Sequence, residues 1–201
     1  MKTIPVNVAT EDELSEVILL KLLTHSARFA VGTCNRRGGF GYLRNRIDGW
    51  NSAARGIPFI LLTDLDECEC PQKLLETWLK VPRHPNLLFR VAVREVEAWI
   101  LADRKNFSKF LGIDERFIPT ESDLLPDPKK ALVAAAARSR NKSIRESIVP
   151  KLGSTAKQGP DYNACLSGFV QKDWNVRLAQ KHSPSLARTI VRLAAFTPTF
   201  K

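Results

Sequence analysis

The run Ile57-Pro58-Phe59-Ile60-Leu61-Leu62-Thr63, ending directly in Asp64-Leu65-Asp66-Glu67, constrains this chain more than any other feature. An uninterrupted apolar stretch of that length, bounded by Gly56 and by acids, reads as a strand buried on both faces. Such a strand needs partners on both edges and helices above and below, the situation of a parallel sheet. The flanking segments fit. Residues 3–9 form a strand, and Thr10 with Glu13 gives a capping-box pattern for a helix over 11–25. Leu14, Val17, Ile18, Leu22 and Leu23 line one side of that helix. A second strand covers Phe29 to Thr33, a helix runs from Tyr42 to Ala54 before Gly56, a third helix spans Pro71 to Lys80, and a strand follows at Leu87 to Val93.

Strand and helix in alternation predict parallel βαβ units, hence an α/β class with a parallel sheet flanked by helices. After Asp103 the pattern turns to helices and loops. Asp127 before Pro128 and Ser183 before Pro184 are helix starts, and Leu186, Ile190 and Leu193 give the last helix its buried side. The organisation expected is an α/β core over residues 1–105 and a mainly helical C-terminal extension over 106–201, packed on that core.

With 44% apolar and 26% charged residues in 201, the chain has the composition of a globular protein. No stretch approaches the eighteen or so apolar residues of a membrane span, and the N-terminus lacks the character of a signal peptide, so a cytoplasmic protein is expected. Cys34, Cys68, Cys70 and Cys165 are too few and too irregular for a disulfide scaffold. A zinc site on Cys68 and Cys70 with Cys34 or His84 is disfavoured by the single-residue spacing. The net charge of +10 favours polyanionic partners, nucleic acid first among them. Arg36, Arg37, Arg44 and Arg46 gather around Gly38, Gly39 and Gly41. That glycine-rich stretch is a candidate phosphate cradle, although it lacks the lysine and hydroxyl residue of a P-loop.

In open α/β sheets ligands bind outside the carboxyl ends of the strands, where Asp64 and Asp66 stand. In an extended strand residues two apart point the same way, so Asp64 and Asp66 can aim both carboxylates at one point. Glu11, Asp12 and Glu16 follow the first strand and reach the same end of the sheet, and Glu95 and Glu97 follow the strand ending at Val93. If Glu95 and Glu97 are helical, they point to different sides. Carboxylates without histidine or thiol suit a hard ion, Mg²⁺ or Mn²⁺.

The acids after the first strand, the long helix behind them and the apolar strand running into Asp64-Leu65-Asp66 resemble a TOPRIM domain, the family of topoisomerases, primases and OLD-type nucleases. The stretch Arg94-Glu95-Val96-Glu97-Ala98-Trp99-Ile100-Leu101-Ala102-Asp103 is similar to small TOPRIM-like proteins of the DUF4276 group, encoded beside ABC-type or SMC-like ATPases in prokaryotic anti-phage defence operons. The resemblance implies a TOPRIM-like fold and a Mg²⁺-dependent nuclease acting on DNA or RNA as a defence effector with an ATPase partner. It implies metal ligands among Glu11, Asp12, Glu16, Asp64, Asp66, Glu95 and Glu97, and a C-terminal lysine, for which Lys157 in Ala-Lys-Gln-Gly-Pro is the candidate. The family's glycine after its first acid is replaced by Asp12 following Glu11. Position favours Glu11 as that acid, while spacing to Glu16 favours Asp12. Two other readings stand beside this one: a non-catalytic nucleic-acid-binding or ATPase-docking module, and a phosphotransferase of the HAD type with Asp64 as nucleophile.

Overall fold

The computed structural model describes residues 3–36 and 38–200. They divide into two compact units, residues 1–92 with 188–201, and residues 93–187. The division thus falls at Ala92 rather than near residue 105, and the last residues belong to the first unit.

In the first unit, β1 (Ile4–Thr10), β2 (Phe29–Arg36), β3 (Phe59–Asp64) and β4 (Leu87–Ala92) form a four-stranded sheet in the order β2-β1-β3-β4, every pair parallel. The helices α1 (Glu13–Ser26), α2 (Gly39–Ala53) and α3 (Pro71–Trp78) are the crossovers. The expected α/β class and parallel sheet are found, and β3 is indeed internal, paired to β1 and β4. Its residues Ile60, Leu61, Leu62 and Thr63 are wholly buried.

Strand alternation decides which layer each side chain meets. Phe59, Leu61 and Thr63 share a face with their register partners Leu87, Phe89 and Val91. Trp50 stacks on Phe59 with ring centroids 6.2 Å apart, and Trp78 meets Phe89 edge-on at 5.5 Å, so α2 and α3 cover this face. The right-handed crossover rule puts α1 on the opposite face. Ile60, Leu62 and Asp64, with Leu88, Arg90 and Ala92, point that way.

The C-terminal segment is fastened within this unit. Arg28 Nη1 donates to Leu193 O at 2.9 Å and also to Ala194 O, and its Nη2 donates to Phe196 O at 2.9 Å. A guanidinium thereby satisfies carbonyls that a helix end leaves open. Phe29 stacks on Phe196, and the Asn86 side chain exchanges hydrogen bonds with Thr199 at 2.8 and 2.9 Å.

The second unit is helical: α4 (Glu97–Ala102), α5 (Arg104–Leu111), α6 (Pro128–Ala136), α7 (Lys142–Ile148), α8 (Tyr162–Lys172), α9 (Val176–Ala179) and the start of α10 (Pro184–Ala194). Asp127 accepts from Lys130 N at 2.7 Å and Ser183 from Leu186 N at 3.2 Å, so both expected caps are present. Trp99, wholly buried, donates its Nε1 to Ser185 Oγ at 2.7 Å, and its carbonyl accepts from Trp174 Nε1 at 3.1 Å. Phe107 and Phe169 pack edge-on at 5.3 Å. Each such buried ring contributes about 1.5–3 kcal/mol. No helix among the described residues is long and apolar enough to cross a membrane.

Candidate active site

From β1 the chain crosses to β2 on one side, while β3 lies on the other, so the strand order reverses between β1 and β3. Outside the carboxyl ends of these two strands is the crevice where doubly wound sheets hold ligands. Glu11 follows β1 there and ties the two strands together. Its Oε1 accepts from the Thr63 hydroxyl and, at 3.0 Å, from Asp64 N. Burial raises the Glu11 pKa, those two hydrogen bonds oppose the rise, and the carboxylates of Asp66 and Asp12 add to it.

Asp66 does not continue the strand. β3 ends at Asp64, Leu65 is buried, and Cys68 N closes a turn on Leu65 O at 3.0 Å. At the head of this turn Asp66 has φ 49°, the left-handed region that aspartate and asparagine tolerate better than other side chains. The expectation that alternation aims Asp64 and Asp66 at one point is therefore corrected. Thr63 faces Glu11, so Asp64 leaves β3 on the opposite face, while the charge of the exposed Asp66 acts on Glu11.

The helix start is also corrected. Asp12, not Thr10, is the N-cap of α1; its Oδ1 accepts from Ser15 N at 2.8 Å, and the Thr10 hydroxyl turns to Asp12 O at 3.3 Å. One Asp12 oxygen is thus committed to the helix, which leaves Glu11 as the acid engaged with β3. Replacing Asp12 by alanine should cost about 1 kcal/mol of stability, read as a lower denaturant midpoint. An unchanged midpoint would show that the cap contributes nothing. Glu16, within the first turn of α1, pairs with Arg36 at 3.6 Å, and Glu13 reaches the same guanidinium at 3.8 Å.

Comparison with known protein families, curated proteins and solved structures returns no match to this chain.

Among the described residues of the expected arginine cradle, β2 runs on to Arg36 and α2 begins at Gly39, with Gly38 at φ 73° and Gly39 at φ 67°. Arg36 is neutralised by acids of α1. Arg44 and Arg46 are exposed on α2, Arg46 lying 5.9 Å over the Tyr42 ring, and Arg37 lies outside the described residues. Lys157 is exposed between α7 and α8 of the second unit.

Glu95 and Glu97 also belong to the second unit, and they do not diverge: both meet Lys129 Nζ at 3.6 Å. Glu95 Oε2 accepts from Lys129 N at 2.8 Å, and Tyr162 donates to Glu97 Oε1 at 2.9 Å. Burial pushes the Glu97 carboxyl up to about 7, opposed by Lys129 and the Tyr162 hydroxyl and reinforced by Glu95. The folded chain therefore holds this proton more tightly than the unfolded chain. The associated stability is full below the ordinary carboxylate range and is lost as pH rises through about 7. Melting temperature should fall between about pH 5 and pH 7, and Glu97→Gln should flatten most of that fall. An equal fall in the variant would assign it to other groups.

Among the described residues no three His, Cys, Asp or Glu side chains are grouped to hold a metal ion. His84 Nδ1 accepts from Asn86 N at 3.2 Å. The donor chemistry at Glu11 and Asp66 fits Mg²⁺ in its usual open mode, one or two carboxylates with water and phosphate oxygens filling the rest.

Proposed function

We propose that the chain is a Mg²⁺-dependent phosphodiesterase of the TOPRIM type that cuts DNA or RNA. The observation that carries this reading is the half-buried Glu11 carboxylate at the β1–β3 switch point, held by the Thr63 hydroxyl and the Asp64 amide, with its pKa raised in part by Asp66 and Asp12. A half-buried acid beside two others is a costly arrangement that a cation would offset. Glu11 and Asp66 would hold the ion, with Asp12 and Asp64 flanking them in sequence. A bound Mg²⁺ or Mn²⁺ would supply a Lewis acid for the scissile phosphate and a more acidic water. Thr63 and the Asp64 amide fix the orientation of the Glu11 carboxylate, and the turn from Leu65 to Cys68 fixes the position of Asp66.

The test is single-turnover cleavage of labelled DNA and RNA by purified protein in Mg²⁺, in Mn²⁺ and in chelator. Cleavage that requires metal supports the reading. Cleavage equal in chelator, or none with either ion, overturns it.

In the biological setting that the resemblance implies, the protein is a cytoplasmic effector of prokaryotic anti-phage defence that works with an ABC-type or SMC-like ATPase. The isolated chain should then cut weakly, and strong cleavage by the lone chain at physiological Mg²⁺ would remove the partner from this reading. One observation favours a second reading, a non-catalytic nucleic-acid-binding or ATPase-docking module: no three carboxylates are grouped among the described residues.

A further inference from the structure

Four arginines of the first unit gather where α10 lies beside β4. Arg90, the inmost, projects from β4 and its Nε lies 3.4 Å from Oγ1 of the buried Thr189 on α10. Arg188 and Arg192 flank Thr189 on the same helix, one turn apart and both exposed. Arg83, ahead of β4, donates its Nη1 to Leu87 O. Among the described residues, no ion pair joins any of the four to an acid.

Burial lowers the Arg90 pKa to about 10, and Arg192, Arg83 and Arg188 push it further in the same direction; Arg83 is lowered by burial and by Arg192. At neutral pH Arg90 still carries its charge. A cluster of like charges with one member recessed destabilises the fold that contains it, because each guanidinium disfavours the charge of the next. An anion removes that penalty. Guanidinium groups match phosphate oxygens through paired N–H donors and shed their hydration more easily than ammonium groups do. One recessed arginine ringed by three exposed ones offers donors to more than one phosphate, which favours a polymer over a small anion.

We propose that Arg83, Arg90, Arg188 and Arg192 form a binding site for the phosphodiester backbone of nucleic acid. The choice of nucleic acid as the source of phosphate rests on the phosphodiesterase reading above. The site would hold the backbone without reading bases, as contacts to phosphate do.

The experiment measures binding of a fluorescent single-stranded oligonucleotide in chelator, where cleavage is excluded, across a salt series. It compares wild type, Arg188→Gln/Arg192→Gln, Arg90→Gln and a charge-matched control, Lys105→Gln/Lys109→Gln, on exposed lysines of α5. The double arginine variant should bind roughly tenfold or more weakly, with the slope of log affinity against log salt reduced by about two. In low salt without ligand it should melt above wild type, because repulsion on Arg90 is relieved. The double variant lies on exposed positions and guards against loss of folding in Arg90→Gln.

Wild-type affinity and slope in the double arginine variant would overturn the proposal, as would an equal loss in the lysine control. Millimolar inorganic phosphate displacing the oligonucleotide, with affinity independent of oligonucleotide length, would identify a small-anion site and also overturn it. Arginine-dependent binding by a protein that cleaves nothing would leave this site standing while the phosphodiesterase reading falls.

Discussion

Asp66→Asn should lower metal-dependent cleavage by about three orders of magnitude, as expected for weakening of a Lewis-acid site that supplies several kcal/mol to the transition state. Asparagine is the informative replacement because Asp66 sits at φ 49°, a conformation asparagine accepts as readily as aspartate. Alanine at the same position would add backbone strain of roughly 1–2 kcal/mol and mix a folding effect into the kinetic one. Glu11→Gln should have a similar effect on cleavage, and it carries an independent signature. Glutamine keeps an oxygen to accept from Thr63 and Asp64 N while removing the charge that burial and neighbouring acids disfavour. In chelator near neutral pH that variant should therefore melt above wild type. Retained cleavage with an unchanged metal response in both variants would take the β1–β3 crevice out of the chemistry.

Gly159→Ala should be the most damaging single-methyl change in the second unit. A Cβ on Gly159 would collide with Ser147 O and stand 2.7 Å from Ser147 C and 2.8 Å from Ile148 C. All three are backbone atoms, so no side-chain rotation relieves the clash. The two segments are also joined there, Gly159 N donating to Ile148 O at 2.8 Å and Asp161 N to Ser147 O at 3.2 Å. Accommodating a methyl group means parting them and drawing the buried Ile148 away from its neighbours. The cost should be roughly 3 kcal/mol, the upper part of the overpacking range, or a melting temperature lower by about 10 °C. Unchanged melting would show that the chain around Gly159 shifts at little cost.

The sheet was legible because β3 carries its burial in its composition: no periodicity is needed when both faces are apolar, and the acids that end it mark its carboxyl end. Helix starts at Asp127 and Ser183 were legible for a similarly local reason. What escaped depended on geometry that neighbouring residues do not encode. Whether Thr10 or Asp12 caps α1 turns on where β1 releases the chain, and the capping-box pattern fits a register that the strand does not leave open. The positive φ of Asp66 ends the alternation that would have paired it with Asp64. Glu95 and Glu97 meet in Lys129 a partner far along the chain, and the arginines at 83, 90, 188 and 192 become neighbours only when α10 reaches β4. No local spacing announces either cluster.

The grip of Arg28 on the carbonyls of Leu193, Ala194 and Phe196 bears on when the first unit can finish folding. A ribosome delivers the sheet first and the segment that completes its unit last, after the whole of the helical unit has emerged. Until then Phe29 lacks Phe196, Asn86 lacks Thr199, and Arg90 lacks the hydroxyl of Thr189 on α10. Nascent chains should therefore carry the acidic crevice in an unfinished support, and a product truncated near residue 105 would be a sheet missing one of its fastenings rather than a finished unit. Synthesis order alone would delay the finished first unit until residues 188–201 have emerged.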